Sequence, residues 1–207
     1  SVHDLLRETG VRPVPDRAGA LAWTRAGSRQ AGGMGIEIER KFQVLGQAWR
    51  AAAERVQPMV QGYLDGTATT ARTHGPGQGK ASVRVRIEGD RAFLNLKSRQ
   101  SGPMRQEFEY PIPLVDARAL LQLCSGSLVE KNRHYLHHQG HLWEVDEFLG
   151  DNAGLVVAEI ELDAVDEVFA RPAWLGAEVT DQTRYYNLAL ASHPYAQWPP
   201  DQRHDPA

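Results

Sequence analysis

Seven segments of the chain carry charged or polar side chains at every second position, with apolar residues between them. Successive side chains of a strand point to opposite faces, so residues two apart share one face. In 35–44, Glu37, Glu39 and Lys41 take one face, and Ile36, Ile38 and Phe42 the other. Arg84 and Arg86 oppose Val83, Val85 and Ile87; Asn95 and Lys97 oppose Leu94 and Leu96. Arg105, Glu107 and Glu109 oppose Phe108 and Tyr110, and Lys131 and Arg133 share a face further on. Glu144 and Asp146 oppose Trp143 and Val145; Glu159 and Glu161 oppose Ile160 and Leu162.

Any one of these segments is what the solvated face of a half-buried antiparallel sheet shows. Together they say more, because the signs are segregated. Acids dominate the first, seventh and eighth strands, and bases the third, fourth and sixth. The expectation is an α+β fold: an eight-stranded antiparallel β-barrel, a tunnel with a charged interior, whose apolar outer faces are covered by helices. The predicted strands are 35–44, 60–65, 81–89, 91–98, 104–111, 127–138, 141–149 and 154–163, with hairpin turns at Gly89-Asp90 and Gly140. Helices are predicted over 47–55, 113–123, 164–170 and 182–191, the last with Asp181 as its cap.

Composition sets the outer limits. A chain of 207 residues with 42% hydrophobic and 24% charged residues fits one globular domain with a core of its own. A net charge of −3 gives no sign of a nucleic-acid or membrane partner. Cys124 is the only cysteine, so no intramolecular disulfide forms, and a cytoplasmic location is expected. No apolar run approaches the roughly 20 residues of a membrane helix. Residues 1–33, rich in Arg, Gly, Ala and Pro, are expected to be a flexible or non-native extension ahead of Met34. The domain is expected over 34–195, with a tail over 196–207.

A charged interior of this kind suits a short polyphosphate. Arg84, Arg86, Arg105 and Arg133 offer planar forks to phosphate oxygens, while Lys41, Lys97 and Lys131 offer point charges. The acids would repel such a ligand unless a hard divalent cation intervenes, and Mg²⁺ suits carboxylate and phosphate oxygens, with Mn²⁺ as the alternative. Glu37, Glu39, Glu159 and Glu161 are the first choice for its ligands. His134, His137, His138 and His141 cluster about a predicted hairpin end and read as surface residues.

Glu37-Ile38-Glu39-Arg40-Lys41 forms an ExExK motif. Gln61-Gly62-Tyr63-Leu64, Arg84-x-Arg86, Leu96-Lys97 and Arg105-Gln106-Glu107-Phe108-Glu109 follow it in order. So do Glu130-Lys131-Asn132-Arg133, Trp143-Glu144-Val145-Asp146, Ala158-Glu159-Ile160-Glu161-Leu162 and Arg184-Tyr185-Tyr186-Asn187. In these motifs the chain, from about 35 to about 192, resembles the CYTH superfamily, the triphosphate tunnel metalloenzymes, and within it the compact bacterial inorganic triphosphatases.

The resemblance implies a tunnel open at both ends, a triphosphate-containing substrate, Mg²⁺ or Mn²⁺ on the Glu-rich strands, and basic residues gripping phosphate. For hydrolysis, two bases are open: a metal-bound hydroxide, or a lysine whose pKa is lowered by cationic neighbours. Lys97 is the candidate lysine, with Tyr63 as its hydrogen-bonding partner, and both have plainer readings as a phosphate clamp and a wall aromatic. Lys131 and Arg133 are expected to grip a terminal phosphate. Glu144 and Asp146 stand either near the metal or as partners that orient bases, and Glu107 and Glu109 as ion-pair partners. Arg184 either reaches the tunnel mouth or caps the last helix. The expected activity is hydrolysis of tripolyphosphate to pyrophosphate and phosphate. The alternatives are a class IV adenylate cyclase, a thiamine triphosphatase and a non-enzymatic polyphosphate-binding module. The expected partner is a small anionic substrate, tripolyphosphate or a nucleoside triphosphate, with a homodimer as the one assembly admitted.

Overall fold

The computed structural model describes residues 36–64, 81–98 and 104–203, so the readings made for residues 1–33 lie outside the described residues. Among the described residues nine strands form: β1 (Ile36–Val44), β2 (Arg55–Tyr63), β3 (Ala81–Glu88), β4 (Arg91–Ser98), β5 (Met104–Pro111), β6 (Ser125–His138), β7 (His141–Phe148), β8 (Val156–Glu161) and β9 (Leu175–Glu178). Two α-helices accompany them, α1 (Leu114–Leu121) and α2 (Asn187–Ser192).

The sheet order is β5-β4-β3-β2-β6-β7-β8-β1-β9, every pairing is antiparallel, and β1 also pairs with β5. That pairing joins β5, at one end of the order, to β1, next to the other end, so eight strands close into a ring with β9 outside it. The closing ladder is short: Ile36, Glu37 and Ile38 face Gln106, Arg105 and Met104. Beyond it β9 takes over, pairing Phe42 with Glu178 and Val44 with Leu175. Two-residue hairpins join β3 to β4 and β6 to β7. At the second, Gln139 and Gly140 both hold positive φ, 46° and 89°, the backbone that matches strand twist in a tight hairpin.

The apolar faces turn outward and are covered there. Phe42, Trp143, Val145, Ala158 and Ile160 form one cluster, on which Phe169 and Trp174 pack. Trp143 meets Phe42, Phe169 and Trp174 edge to face, with ring centroids 5.6–5.8 Å apart. Helix α1 supplies Ala117 and Leu121 to a second cluster over Val85 and Ala92.

One end of the inner face is apolar. Tyr63, Val129, Phe148 and Val157 lie on the same strand faces as the charges, but pack against Val179, Tyr185, Leu190 and Trp198. The segment around α2 therefore caps this end with apolar residues, where the resemblance implied two open ends. Trp198, expected in a tail, is buried in this cap.

Element bounds differ from expectation in four places. The predicted helix 47–55 is a short 3₁₀ turn, Ala48–Ala52, and β2 begins at Arg55 instead of 60. Pro58 obscures that strand in the sequence; it sits one residue past the last β3 partner, Met59↔Glu88, where a strand tolerates a proline. Residues 164–170 are not helical: Val165 and Val168 are exposed, so no apolar stripe holds a helix there. The predicted 182–191 helix divides into a 3₁₀ turn, Thr183–Tyr185, and α2. Tyr186 precedes α2 without a side-chain cap bond, so Asp181 is not its cap. Strand β9 is absent from the expectation; its Leu175-Gly176-Ala177-Glu178 sequence is too short to show a period.

Candidate active site

The inward positions of β1, β6, β7 and β8 form one continuous ion-pair network. Lys41 Nζ contacts Glu39 at 2.6 Å and is ion-paired with Glu159. Arg133 spans three carboxylates: Glu159 at 2.6 Å, Asp146 at 2.7 Å through two donors, and Glu144. Lys131 is bonded to Asp146, and both are buried, at 2% and 0% exposure. These contacts follow from register, since Arg133 faces Asp146, Lys41 faces Glu159, and Glu144 faces Glu159 across adjacent strands.

The network sets the protonation of its members. Burial works against the Lys41 ammonium, but Glu159 and Glu39 outweigh it and its pKa is raised. Glu159, despite burial, is held well below the usual carboxylate range by Lys41, Arg133 and Lys131. Lys131 goes the other way: burial and the Arg133 charge pull it down to about 8, although Asp146 resists. Burial raises Glu144 even with Arg133 beside it.

A second network lines β3, β4 and β5. Arg84 contacts Glu107 at 3.2 Å and Arg86 contacts Glu109 at 2.7 Å. Asn95 lies between, its amide donating to Glu107 at 2.9 Å and Glu109 at 2.7 Å. Lys97 bridges Glu107 and Glu37, both at 2.9 Å, and so ties β4 to β1 across the short closing ladder. Glu37 and Glu107 raise the Lys97 pKa against the effect of burial, the opposite of the lowered value a lysine base requires. Glu107 falls to about 2 through Lys97 and Arg84, although burial opposes this. The Nε donors of Arg84 and Arg86 are buried and make no hydrogen bond among the described residues, although the Arg86 Nε lies 3.6 Å from a Glu88 oxygen.

Tyr63 sits between the networks, its hydroxyl 3.4 Å from Gln61 Nε2 and close enough to Arg84, Lys97 and Lys41 to feel their charges; burial nonetheless raises its pKa. Glu161 is exposed and stands directly opposite Glu39. Arg105 faces Glu37 in the closing ladder, and its side chain lies outside the described residues. Arg184 is apart from both networks: it donates to Gln202 and Gln182 and lies over the Tyr185 and Trp198 rings. Tyr185 in turn accepts a 2.9 Å bond from Gln43 on β1, which puts Arg184 beside the apolar cap.

The Glu-rich wall has the chemistry a hard cation takes. Glu39 opposes Glu161 and Glu144 opposes Glu159, and facing carboxylates repel unless positive charge sits among them. Lys41 and Arg133 supply that charge here, and among the described residues no three acidic, His or Cys side chains gather closely enough to enclose an ion. The donor set fits a divalent cation that takes over these carboxylates from their ammonium and guanidinium partners.

Three inner-face features do not follow from the sequence reading. Asn95 reads as inward, but not as the bracket between two acids. Gln61, fully buried, is given no role there. Arg55 and Tyr135, facing each other across β2 and β6, are hidden because 55 falls within the expected helix and 56–59 within no expected strand. The alternation of Arg55, Gln57, Met59, Gln61 and Tyr63 with Val56, Pro58, Val60 and Gly62 is the signal that finds them.

A closed antiparallel barrel, apolar outside and lined by paired cations and carboxylates, has the charge and enclosure that a small polyanion with its counter-ion requires. The chain belongs to the CYTH family: the CYTH domain model matches residues 35–193. It is 42% identical over 163 residues to the inorganic triphosphatase of Acetivibrio thermocellus, covering 78% of this chain and 97% of that protein. It is 35% identical over 158 residues to the inorganic triphosphatase of Nitrosomonas europaea, covering 75% and 96%. The crystal structure of the inorganic triphosphatase NE1496 superposes with a TM-score of 0.54 at 34% identity, covering 75% of this chain and 93% of that one.

Proposed function

We propose that this protein hydrolyses inorganic triphosphate to pyrophosphate and phosphate, with a divalent cation as cofactor. The observation that carries this reading is the convergence of Lys41, Arg84, Arg86, Lys97, Lys131 and Arg133 on the inner face of one closed ring, with the buried Arg84 Nε donor left without a hydrogen bond among the described residues. The inorganic triphosphatases it resembles, at 42% and 35% identity, support the substrate.

Arg84 and Arg86 present donor forks to the triphosphate, and Lys131 and Arg133 hold a terminal phosphoryl group. Lys97, kept charged by Glu37 and Glu107, clamps phosphate and stabilises the charge that builds on the departing oxygen. Tyr63 orients a phosphate oxygen or the attacking water from beside these cations. Mg²⁺ is the cation that suits the all-carboxylate donor set, with Glu37, Glu39, Glu159 and Glu161 as its ligands. When bound it neutralises phosphate charge and polarises the phosphoryl group. Glu144 and Asp146 orient Lys131 and Arg133, and Glu107 and Glu109 do the same for Arg84 and Arg86.

Purified protein with Mg²⁺ and tripolyphosphate, ATP or thiamine triphosphate, assayed for phosphate, pyrophosphate and cyclic AMP, tests this. Tripolyphosphate should give equal phosphate and pyrophosphate at the highest rate. Cyclic AMP from ATP, or faster turnover of thiamine triphosphate, would overturn it.

A further inference from the structure

Away from the apolar cap, the inner face of the β2–β6 pair carries a row of cations. Lys131 and Arg133 lie two residues apart on β6, and the next inward position is Tyr135. Its partner across the ladder is Arg55, whose guanidinium carbon lies 3.7 Å from the centre of the Tyr135 ring. Steps of two residues advance about 6–7 Å along a strand, so Arg55 extends the row by one such step towards solvent.

Arg55 differs from the other cations of the inner face. Lys41, Arg84, Arg86, Lys97, Lys131 and Arg133 each touch at least one carboxylate. Among the described residues Arg55 touches none; it lies against the face of Tyr135, and it is exposed. The nearby charges are committed elsewhere: Glu144 to Arg133, and Glu88 to Arg91 at 2.9 Å. Stacking on a ring uses the guanidinium face and leaves its in-plane N–H donors free. A polyphosphate oxygen can therefore bind the edge of Arg55 without breaking the stack, and the ring holds the fork in place beforehand.

We infer that Arg55, held by Tyr135, is an outer phosphate subsite that contacts the fourth phosphoryl group of a linear polyphosphate whose first three are gripped deeper in the barrel. This rests on the triphosphate reading and extends it to longer chains: Arg55 sets how strongly the protein prefers a longer polyphosphate to tripolyphosphate.

Calorimetric titration with tripolyphosphate and tetrapolyphosphate in EDTA reads binding apart from turnover. Arg55→Gln should weaken tetrapolyphosphate binding about tenfold, the size of one charge-assisted hydrogen bond, and tripolyphosphate binding less than about twofold. Tyr135→Leu should weaken tetrapolyphosphate alone by about threefold, because the cation–π stack is gone, and Tyr135→Phe should have no effect. Unchanged binding of both chains in folded Arg55→Gln, or an equal loss for both, would overturn the subsite. Wild-type protein that binds tetrapolyphosphate through Arg55 but hydrolyses no tripolyphosphate with Mg²⁺ would sink the proposed activity and leave the subsite standing. Protein that binds neither chain overturns both.

Discussion

On β6, β7 and β8 the cations are enclosed by acids. Arg133 alone touches Asp146, Glu144 and Glu159, and Lys131 and Asp146 are buried together. On β3, β4 and β5, Arg84 is held more lightly. Arg84 has one carboxylate, Glu107, which Lys97 and Asn95 also hold, and its buried Nε makes no hydrogen bond among the described residues. The first half neutralises its own charge and is a structural element as much as a binding one. The second leaves the Arg84 Nε donor without a hydrogen bond among the described residues. The difference teaches that a charged interior is not uniform: how many carboxylates an individual cation touches, three at Arg133 and one at Arg84, sets how much donor capacity it retains.

The largest effect expected from this contrast is on stability. Arg133→Leu strands three carboxylates in a buried wall and should cost about 3–5 kcal/mol in urea unfolding. Arg84→Leu leaves Glu107 with Lys97 and Asn95, and should cost about 1–2 kcal/mol, the scale of removing one hydrogen bond to a charged group. Equal losses in the two variants would erase the distinction between the halves.

The next effect is on binding. Arg84→Gln should weaken tripolyphosphate about ten- to hundredfold, the range for removing a charge-assisted fork, with no greater loss of stability than Arg84→Leu. KM measured over a substrate series, beside thermal melts of the same preparations, checks this. A drop in kcat with KM unchanged would instead place Arg84 in the transition state alone.

The contrast is only half visible in the sequence. A period of two shows which side chains share a face, because burying one face of each strand fixes its register. It places Glu37, Arg84, Lys131 and Glu159 together inside. It cannot show who pairs with whom, since partner choice depends on which strands become neighbours. Lys97 reaches Glu37 only because β1 closes on β5, although the two residues stand 60 positions apart in the chain. Nor does it show that the charged face turns apolar at one end. Val129, Phe148 and Val157 hold the same parity as Lys131, Asp146 and Glu159, and only the packing of Tyr185 and Leu190 reveals why. Arg55 is hidden by Pro58, a residue that argues against a strand until the end of β3 beside it is known.

The smallest effect expected separates the halves by pH. Lys131 is the enclosed lysine whose pKa falls, to about 8, while Lys97 in the more open half is raised. Unfolded, Lys131 returns to its ordinary value near 10.5. Between about pH 8 and 10.5 the unfolded chain therefore holds the extra proton, and stability rises with pH through that window. At about 1.4 kcal/mol for each tenfold change in proton affinity, and allowing for water reaching the site, the gain is on the order of 1–2 kcal/mol. Lys97 has the opposite sign: its folded form holds the proton longer, so its contribution is present below about pH 10.5 and is lost as pH rises above it. Urea unfolding of wild type and Lys131→Met at pH 7, 8, 9 and 10 isolates the first group, because the difference between the two curves cancels titrations they share. A difference that widens in favour of wild type from pH 8 to 10 bears out the enclosed, proton-shedding lysine. A flat difference would mean that Asp146 holds the Lys131 proton throughout.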